Sequence, residues 1–309
     1  MTHPFGQNIA FLLQSACAEV NSRAMIRRQG KMELTGEMPA SRQKETQLIH
    51  NLESLHTVAV AFSGGVDSAY LLAVALATLG TDRVLALTAD SPLIPRDEVA
   101  LARDMACQLD ARHQIVTINP LDIRDVAANR PDRCYHCKRA IFSKLLEDAS
   151  AAGINTLLHG ANVDDRSDYR PGQQAADELG VRAPLDEAGL TKAEIRELSK
   201  ARGLPTWNLP AQACLASRIP YHVELSSDAL IQVEQAEVFL RQRFGLTALR
   251  VRHHGKIARI ELPPASWPEV ISETTREEIL AAFREIGFNT VALDLAGLQS
   301  GSMNKLAGV

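Results

Sequence analysis

No apolar run in the 309-residue sequence approaches the roughly 18 residues of a membrane-spanning helix. Residues 1–30 mix Gln, Asn, Glu and Arg through any candidate signal core, so no membrane association is expected and a cytoplasmic location is. A surplus of basic charge is also missing. The formal net charge is -4, which leaves no global electrostatic footprint for nucleic acid and argues against a tRNA substrate. The five cysteines, Cys17, Cys107, Cys134, Cys137 and Cys214, are odd in number and come without an export signal. That pattern disfavours a disulfide framework and points to thiols used as ligands or nucleophiles. Neither an internal repeat nor a low-complexity tract is present. What remains is an ordinary globular composition, long enough for two domains or for one large α/β domain with an appendage.

The hydrophobic pattern divides the chain. Residues 1–45 read as an extension, probed only by an apolar start at Ile9 to Val20 and a basic stretch from Arg27 to Lys31. From Thr57, short apolar runs alternate with helix-like segments: strands at Thr57–Phe62, Arg83–Thr88, His113–Ile118 and Asn155–His159, and helices at Ala69–Leu79, Arg96–Leu109 and Cys134–Ala152. Such alternation predicts a doubly wound parallel sheet over residues 46–221. A further helix is expected at Thr191, where Thr191 and Glu194 form a capping box, ending before Gly203 and Pro205. Residues 222–309 change texture to a long helix (Ser227–Phe244), two strands (Ala248–Arg252, Ile257–Leu262), a helix (Thr275–Ile286) and a last strand (Thr290–Leu295). This predicts a smaller C-terminal α+β domain.

The sharpest local signal is Ser63-Gly64-Gly65-Val66-Asp67-Ser68 between a buried strand and a helix. Two glycines let the backbone turn tightly, and the N–H groups at the helix start, with both hydroxyls, make an anion site. Asp67 beside a phosphate implies a divalent cation between them, so Mg²⁺ on a polyphosphate is expected. No Gly-Lys-Ser/Thr follows, so this is not a Walker A loop. Thr88-Ala89-Asp90-Ser91-Pro92 lies at the carboxyl edge of the expected sheet, where open α/β folds bind ligands.

A second constellation is Arg133-Cys134-Tyr135-His136-Cys137-Lys138. Two cysteines three apart share a helical face, and the helix start with Arg133 and Lys138 favours thiolate. By itself the pair fits zinc first, then a redox couple or two core thiols. Cys214, in Ala213-Cys214-Leu215-Ala216-Ser217-Arg218, adds a third thiol just before the expected domain junction. Arg250 and Arg252 lie two apart on a predicted strand, so they share a face and can clamp a phosphate or carboxylate, with Ser217 and Arg218 able to join. Cys17 and Cys107 read as buried spectators, His253-His254 beside Gly255 as a turn, and Trp207 and Trp267 as packing residues.

The loop resembles the SGGxDS signature of the PP-loop ATP pyrophosphatases. That likeness implies ATP cleaved between its α and β phosphates, the leaving pyrophosphate gripped by Ser63, Gly64, Gly65, Val66, Asp67 and Ser68, and the nucleoside held near Ala89. From about Thr57 to Ser302 the chain resembles the LarE family of PP-loop sulfur transferases. The likeness lies in Ser63–Ser68, Arg133–Lys138, Gly160–Asp165 with Asp168–Gly172, Cys214–Tyr221, Arg250-Val251-Arg252, Ala258–Pro263, and Asp294-Leu295 with Gly301-Ser302. It implies that ATP adenylates a carboxylate of a pyridinium dicarboxylate mononucleotide, which sulfur then converts to a thiocarboxylate. It further implies catalytic roles for Asp67 and Cys214, a substrate phosphate held by Ser217, Arg218, Arg250 and Arg252, and a divalent ion at Glu261 and Glu269. Members with one cysteine give up its sulfur; members with the CxxC pair resemble enzymes holding a [4Fe-4S] cluster. Cys134, Cys137 and Cys214 together favour the cluster. A homo-oligomer is expected, because a pocket at a domain junction often borrows neighbours. Rival readings are a tRNA thiolase or amide-forming synthetase of the same superfamily, and an ATP- and iron-sulfur-binding protein without turnover.

Overall fold

The computed structural model describes residues 39–167, 171–210 and 213–299. Cys17, Asp168, Tyr169, Arg170, Gly301 and Ser302, with residues 1–38 of the expected extension, lie outside the described residues. The main elements run α1 (Ala40–Glu53), β1 (Val58–Ala61), α2 (Val66–Leu79), β2 (Val84–Asp90), α3 (Arg96–Gln108), β3 (Arg112–Thr117), α4 (Arg133–Ala151), β4 (Leu157–Leu158), α5 (Pro171–Glu178) and α6 (Lys192–Ala201). They continue with α7 (Ser227–Phe244), β5 (Arg250–His254), β6 (Ile257–Glu261), α8 (Glu273–Ile286) and β7 (Thr290–Leu293).

The first four strands form one parallel sheet in the order β3-β2-β1-β4. Continuous apolar strands are what burial on both faces requires, and the side chains divide accordingly. Val58, Val60, Val84 and Ala86 pack with α1, α2 and α6 residues such as Leu48, Leu72 and Leu198. Ala59, Leu85 and Leu87 pack on the opposite face with Phe142, Leu145 and Ala149 of α4. Helices therefore cover both faces, and the sheet is doubly wound. Strand order reverses between β1 and β4, so a crevice opens at the carboxyl end of β1, the usual ligand position in such folds.

The second sheet has the order β5-β6-β7, antiparallel then parallel, packed by Ala236, Leu240, Val251, Ile260 and Phe283. α7 starts where the Ser226 hydroxyl accepts from the Ala229 amide and ends at Gly245 in the left-handed region (φ 66°), a hydroxyl cap and a glycine stop. The Thr191–Glu194 capping box is present in full. A fourth apolar cluster, with Leu93, Val126, Leu215, Ala216, Ile219, Leu225, Leu230 and Val233, joins the two sheets' territories.

Four details differ from the sequence reading. The fourth strand shrinks to Leu157–Leu158, because only those two residues pair with β1. His253 and His254 belong to β5, and the turn follows at Gly255-Lys256; alternation sends His253 to Gln232 (3.0 Å) and His254 to Arg259 (3.2 Å). Cys107 is exposed rather than buried. Residues 40–45, expected within the extension, are helical, because α1 buries Leu48 and Leu52 completely.

Glu45 pins α1 in place. Its carboxylate accepts from Arg42 (2.6 Å), Tyr70 (2.9 Å) and Arg202 (3.0 Å). Burial alone would raise its pKa, but those donors and the Arg202 charge outweigh it and hold the carboxyl below its ordinary value. Glu45→Ala is expected to cost about 1–3 kcal/mol in urea unfolding, discounted because Arg42 and Arg202 stay partly in water. A depressed folded pKa contributes stability above the unfolded pKa that is lost as pH falls through the folded one. The gap between wild type and variant should therefore close in acid.

Candidate active site

The phosphate loop leaves β1 at the crevice and enters α2. Gly64 has φ +75°, and a Cβ there would lie 2.9 Å from backbone atoms of Ala102, so both conformation and space require glycine. The Ser63 and Ser68 hydroxyls are 3.1 Å apart, and the Ser63 amide donates to Ser68 Oγ at 3.2 Å, closing the loop on itself around the first amides of α2. From the other side of the crevice, Gly160 approaches so closely that a Cβ would meet the Ser68 amide nitrogen at 3.0 Å. Ala89 sits at the carboxyl end of β2 beside this loop.

Asp67 is the charged residue of the loop. Its carboxylate pairs with Lys192 Nζ, the first residue of α6, and accepts from Asn162 Nδ2 at 3.4 Å. The Lys192 amide in turn donates to Asp164 (2.8 Å), and the Asn162 amide to Asp165 (3.0 Å). Burial raises the Asp67 pKa above its ordinary value, outweighing the Lys192 charge, and Asp165 adds to the rise. A half-desolvated carboxylate with a second acid behind it is suited to a cation. Lys192 was read only as part of a helix start; its reach across 125 positions to Asp67 carries no local sequence signal.

Cys214 lies close enough to act electrostatically on Cys137 and on Arg133, a proximity that neither periodicity nor spacing predicts. Cys134 and Cys137 lie on the first turns of α4, and Cys214 precedes a 3₁₀ turn, Leu215–Arg218, whose Leu215 amide donates to the Leu93 carbonyl at 2.9 Å. Burial, then the neighbouring Cys214 sulfur, pushes the Cys137 thiol up to about 12. Arg133, 4% exposed, donates toward Cys134 Sγ at 3.5 Å and lies in the field of both Cys134 and Cys214. Among the described residues no group of three or more His, Cys, Asp or Glu is arranged to hold a metal ion.

The four residues expected to hold a substrate phosphate have unequal freedom. Arg218, 1% exposed, forms a two-pronged pair with Glu237 (2.9 and 3.0 Å) and donates to the Cys214 carbonyl (3.2 Å) and Ser217 Oγ (3.1 Å). Arg252 is buried against Glu261 (2.7 Å) and donates to the Ser217 carbonyl (2.8 Å). Arg250, half-buried on the same face of β5, makes no side-chain hydrogen bond or ion pair among the described residues. Burial, then Arg218 and Arg252, lowers its pKa. Glu261, expected with Glu269 to bind a divalent ion, pairs with Arg252 and Arg259, and Glu269 is exposed on the short helix Trp267–Ile271. Glu98, unremarked in the sequence, lies in the field of Arg218 and Arg241; burial, then Asp97, raises its carboxyl to about 7 against their pull.

Comparison with known proteins places this geometry. A family model described as asparagine synthase matches residues 47–150, the phosphate-loop half of the sheet. An uncharacterized protein of Synechocystis is 41% identical over 247 residues, 80% of this chain and 91% of that protein. Pyridinium-3,5-bisthiocarboxylic acid mononucleotide synthase of Lactiplantibacillus plantarum is 38% identical over 261 residues, 84% of this chain and 94% of the synthase. The chain belongs to the LarE family of PP-loop enzymes. Argininosuccinate synthase of Natronomonas pharaonis is 32% identical over 158 residues, only 39% of its own length, so the likeness outside the LarE family is confined to part of the chain. LarE membership extends over both sheets, which is where the thiols and the arginines meet.

In this LarE-family chain, Asp67→Asn is expected to abolish pyrophosphate release while leaving the unfolding midpoint nearly unchanged, because Asp67 costs desolvation energy that its pair with Lys192 only partly returns. Retained turnover by a pyrophosphate-coupled assay would contradict the assignment.

Proposed function

We propose that the protein is an ATP-dependent sulfur transferase that adenylates a carboxylate of pyridinium-3,5-biscarboxylic acid mononucleotide and converts it to a thiocarboxylate, releasing pyrophosphate and AMP. The observation that carries this reading is the Cys214–Arg218 turn. One side of it meets Arg133, Cys134 and Cys137, and the other meets Arg252 and the face that bears Arg250. Sulfur and an anion site thus adjoin, on the edge of the molecule that holds the phosphate loop.

In the first step a substrate carboxylate oxygen attacks the α-phosphorus of ATP and the bond to the β-phosphate breaks. The loop amides with Ser63 and Ser68 receive the departing pyrophosphate, as a helix start favours. Asp67 would hold Mg²⁺, which neutralises polyphosphate charge, and Lys192 would then turn from Asp67 to the phosphates. In the second step a sulfur nucleophile attacks the acyl carbon and AMP leaves with the bonding pair; adenylation matters because a bare carboxylate is a poor acyl acceptor. Arg250, with Ser217 Oγ, anchors the mononucleotide phosphate, while Arg218 and Arg252 shape the pocket around it.

The proposal includes a [4Fe-4S] cluster on three soft thiols, of which Cys137 and Cys214 pack against an apolar cluster with Leu93, Val126 and Leu215. Held by Cys134, Cys137 and Cys214, it would supply inorganic sulfur and spare the protein chain. Arg133 would balance its negative charge. The cytoplasmic location and the homo-oligomer remain part of this proposal.

Pyrophosphate release on adding ATP with the pyridinium substrate separates this reading from a carrier that binds ATP without turnover, and from superfamily enzymes that need tRNA or ammonia. Protein purified without oxygen should carry about four iron and four acid-labile sulfide per chain, lost in Cys134→Ala; zinc in their place would return sulfur donation to Cys214 itself. Arg250→Ala is expected to raise the substrate KM about ten-fold or more with kcat little changed, the mark of binding lost equally in ground and transition states.

A further inference from the structure

Asn129 stands outside every motif, yet it is completely buried and adopts a left-handed backbone (φ 52°) that non-glycine residues rarely take. Its side chain is fully used. Nδ2 donates to the carbonyls of Pro220 (2.8 Å) and Val223 (3.1 Å) and approaches that of Ile219 (3.4 Å), while Oδ1 accepts from Arg133 Nη1 (2.5 Å). Its own carbonyl accepts from the His222 amide at 3.0 Å, and the neighbouring Ala127 carbonyl from the Leu225 amide at 2.8 Å. His222 is itself left-handed (φ 65°). Two strained residues thus lock together the segment before α4 and the segment after the Cys214 turn.

Arg133 extends the lock to the thiols. The guanidinium held by Asn129 also donates to the Ala216 carbonyl (3.2 Å), inside the turn that follows Cys214, and toward Cys134 Sγ (3.5 Å). Its far face lies over Tyr221, 5.8 Å from the ring centre. A planar guanidinium fixed by three kinds of acceptor allows little rotation. We propose that Asn129 is the positioning residue that seats Cys214 against the Cys134/Cys137 pair, acting directly on the 219–223 segment and through Arg133 on the Cys214 turn. This rests on the sulfur-transfer reading only for its biological use; the placement of the thiols is a property of the chain.

The decisive variant is Asn129→Gly, because glycine keeps the left-handed backbone without strain while removing the amide. Reduced, metal-free protein is treated with diamide, which takes up the two thiol hydrogens as each disulfide forms, and the linkages are mapped by mass spectrometry. In the wild-type protein Cys214 is expected in disulfides with Cys134 or Cys137. In Asn129→Gly the yield of Cys214 disulfides should fall about ten-fold, as effective concentration is lost, while the Cys134–Cys137 yield and ATP binding stay within about two-fold. An unchanged Cys214 yield in the variant, or no Cys214 disulfide in the wild type, overturns the proposal. If the glycine variant also loses ATP binding, the decision passes to Asn129→Asp, which keeps the shape and the acceptor for Arg133 but cannot donate to the three carbonyls. Intact ATP binding with an unchanged Cys214 yield there overturns it equally. The measurement involves neither iron nor substrate, so failure of the sulfur-transfer reading would leave its result intact.

Discussion

Arg218 and Glu237 face each other where water is almost wholly excluded, each 1% exposed, and much of the molecule's second half is arranged around that pair. Taking two charges out of water is costly, and attraction repays it only when the remaining hydrogen-bonding capacity is also met. Here it is met on both sides. Arg218 uses its remaining nitrogen, Nη1, on the carbonyls of Ala213 and Cys214 and on Ser217 Oγ; Glu237 takes Arg241 (2.8 Å) and the Val251 amide (3.1 Å). An apolar pair of similar volume could fill the space, but it could not orient a turn, a helix and a strand relative to one another. The charge pair thereby fixes the distance between the third cysteine and the strand that carries Arg250 and Arg252.

That arrangement separates two kinds of positive charge. Arg133, Arg218 and Arg252 are consumed in building the walls, each turned toward a backbone carbonyl or a buried carboxylate. Arg250 makes no such contact among the described residues, which is why the proposed anion site is given to it. The first sheet contributes a complementary division, in which the loop amides and Lys192 surround Asp67 at the strand-order reversal. The phosphate loop and the cysteine pair thus belong to the first sheet's layer and Arg250 to the second sheet, and the Cys214 turn makes hydrogen bonds toward both.

The doubly wound sheet was legible because apolar strands and amphipathic helices write their periods into the sequence, and the loop because glycine, serine and aspartate have few other reasons to occur in that order between a strand and a helix. α7 ran from Ser227 to Phe244 as read, bounded by a hydroxyl and a glycine. The roles of the arginines were not legible in the same way. Arg218 meets Glu237 across 19 positions and Arg133 meets Ala216 across 83, and a buried pair leaves no local pattern beyond the presence of charge. The arginine partners of Glu261 were not legible for the same reason: a carboxylate that accepts from arginine and one that binds a cation are the same letter. Cys107 was assigned to the core by its apolar neighbours, although helix rotation carries it outward while Met105 and Ala106 face in. Asn129 gave no sign at all, since its importance comes from a backbone angle and from carbonyls about 90 residues away.

The lock around Asn129 also sets an order of events in synthesis. The first three strands, the phosphate loop and the cysteine pair precede residue 140, whereas the carbonyls that Asn129 holds and the amide that Ala127 receives come from residues 219–225. Contacts of such long sequence separation form late, after the loop between them has been closed. A chain emerging from the ribosome therefore displays Cys134 and Cys137 as an ordinary thiol pair for as long as translation needs to reach the seam. Cys214 can take its place only after residues 219–225 have been made, so the seating proposed for it belongs to finished molecules and not to nascent ones.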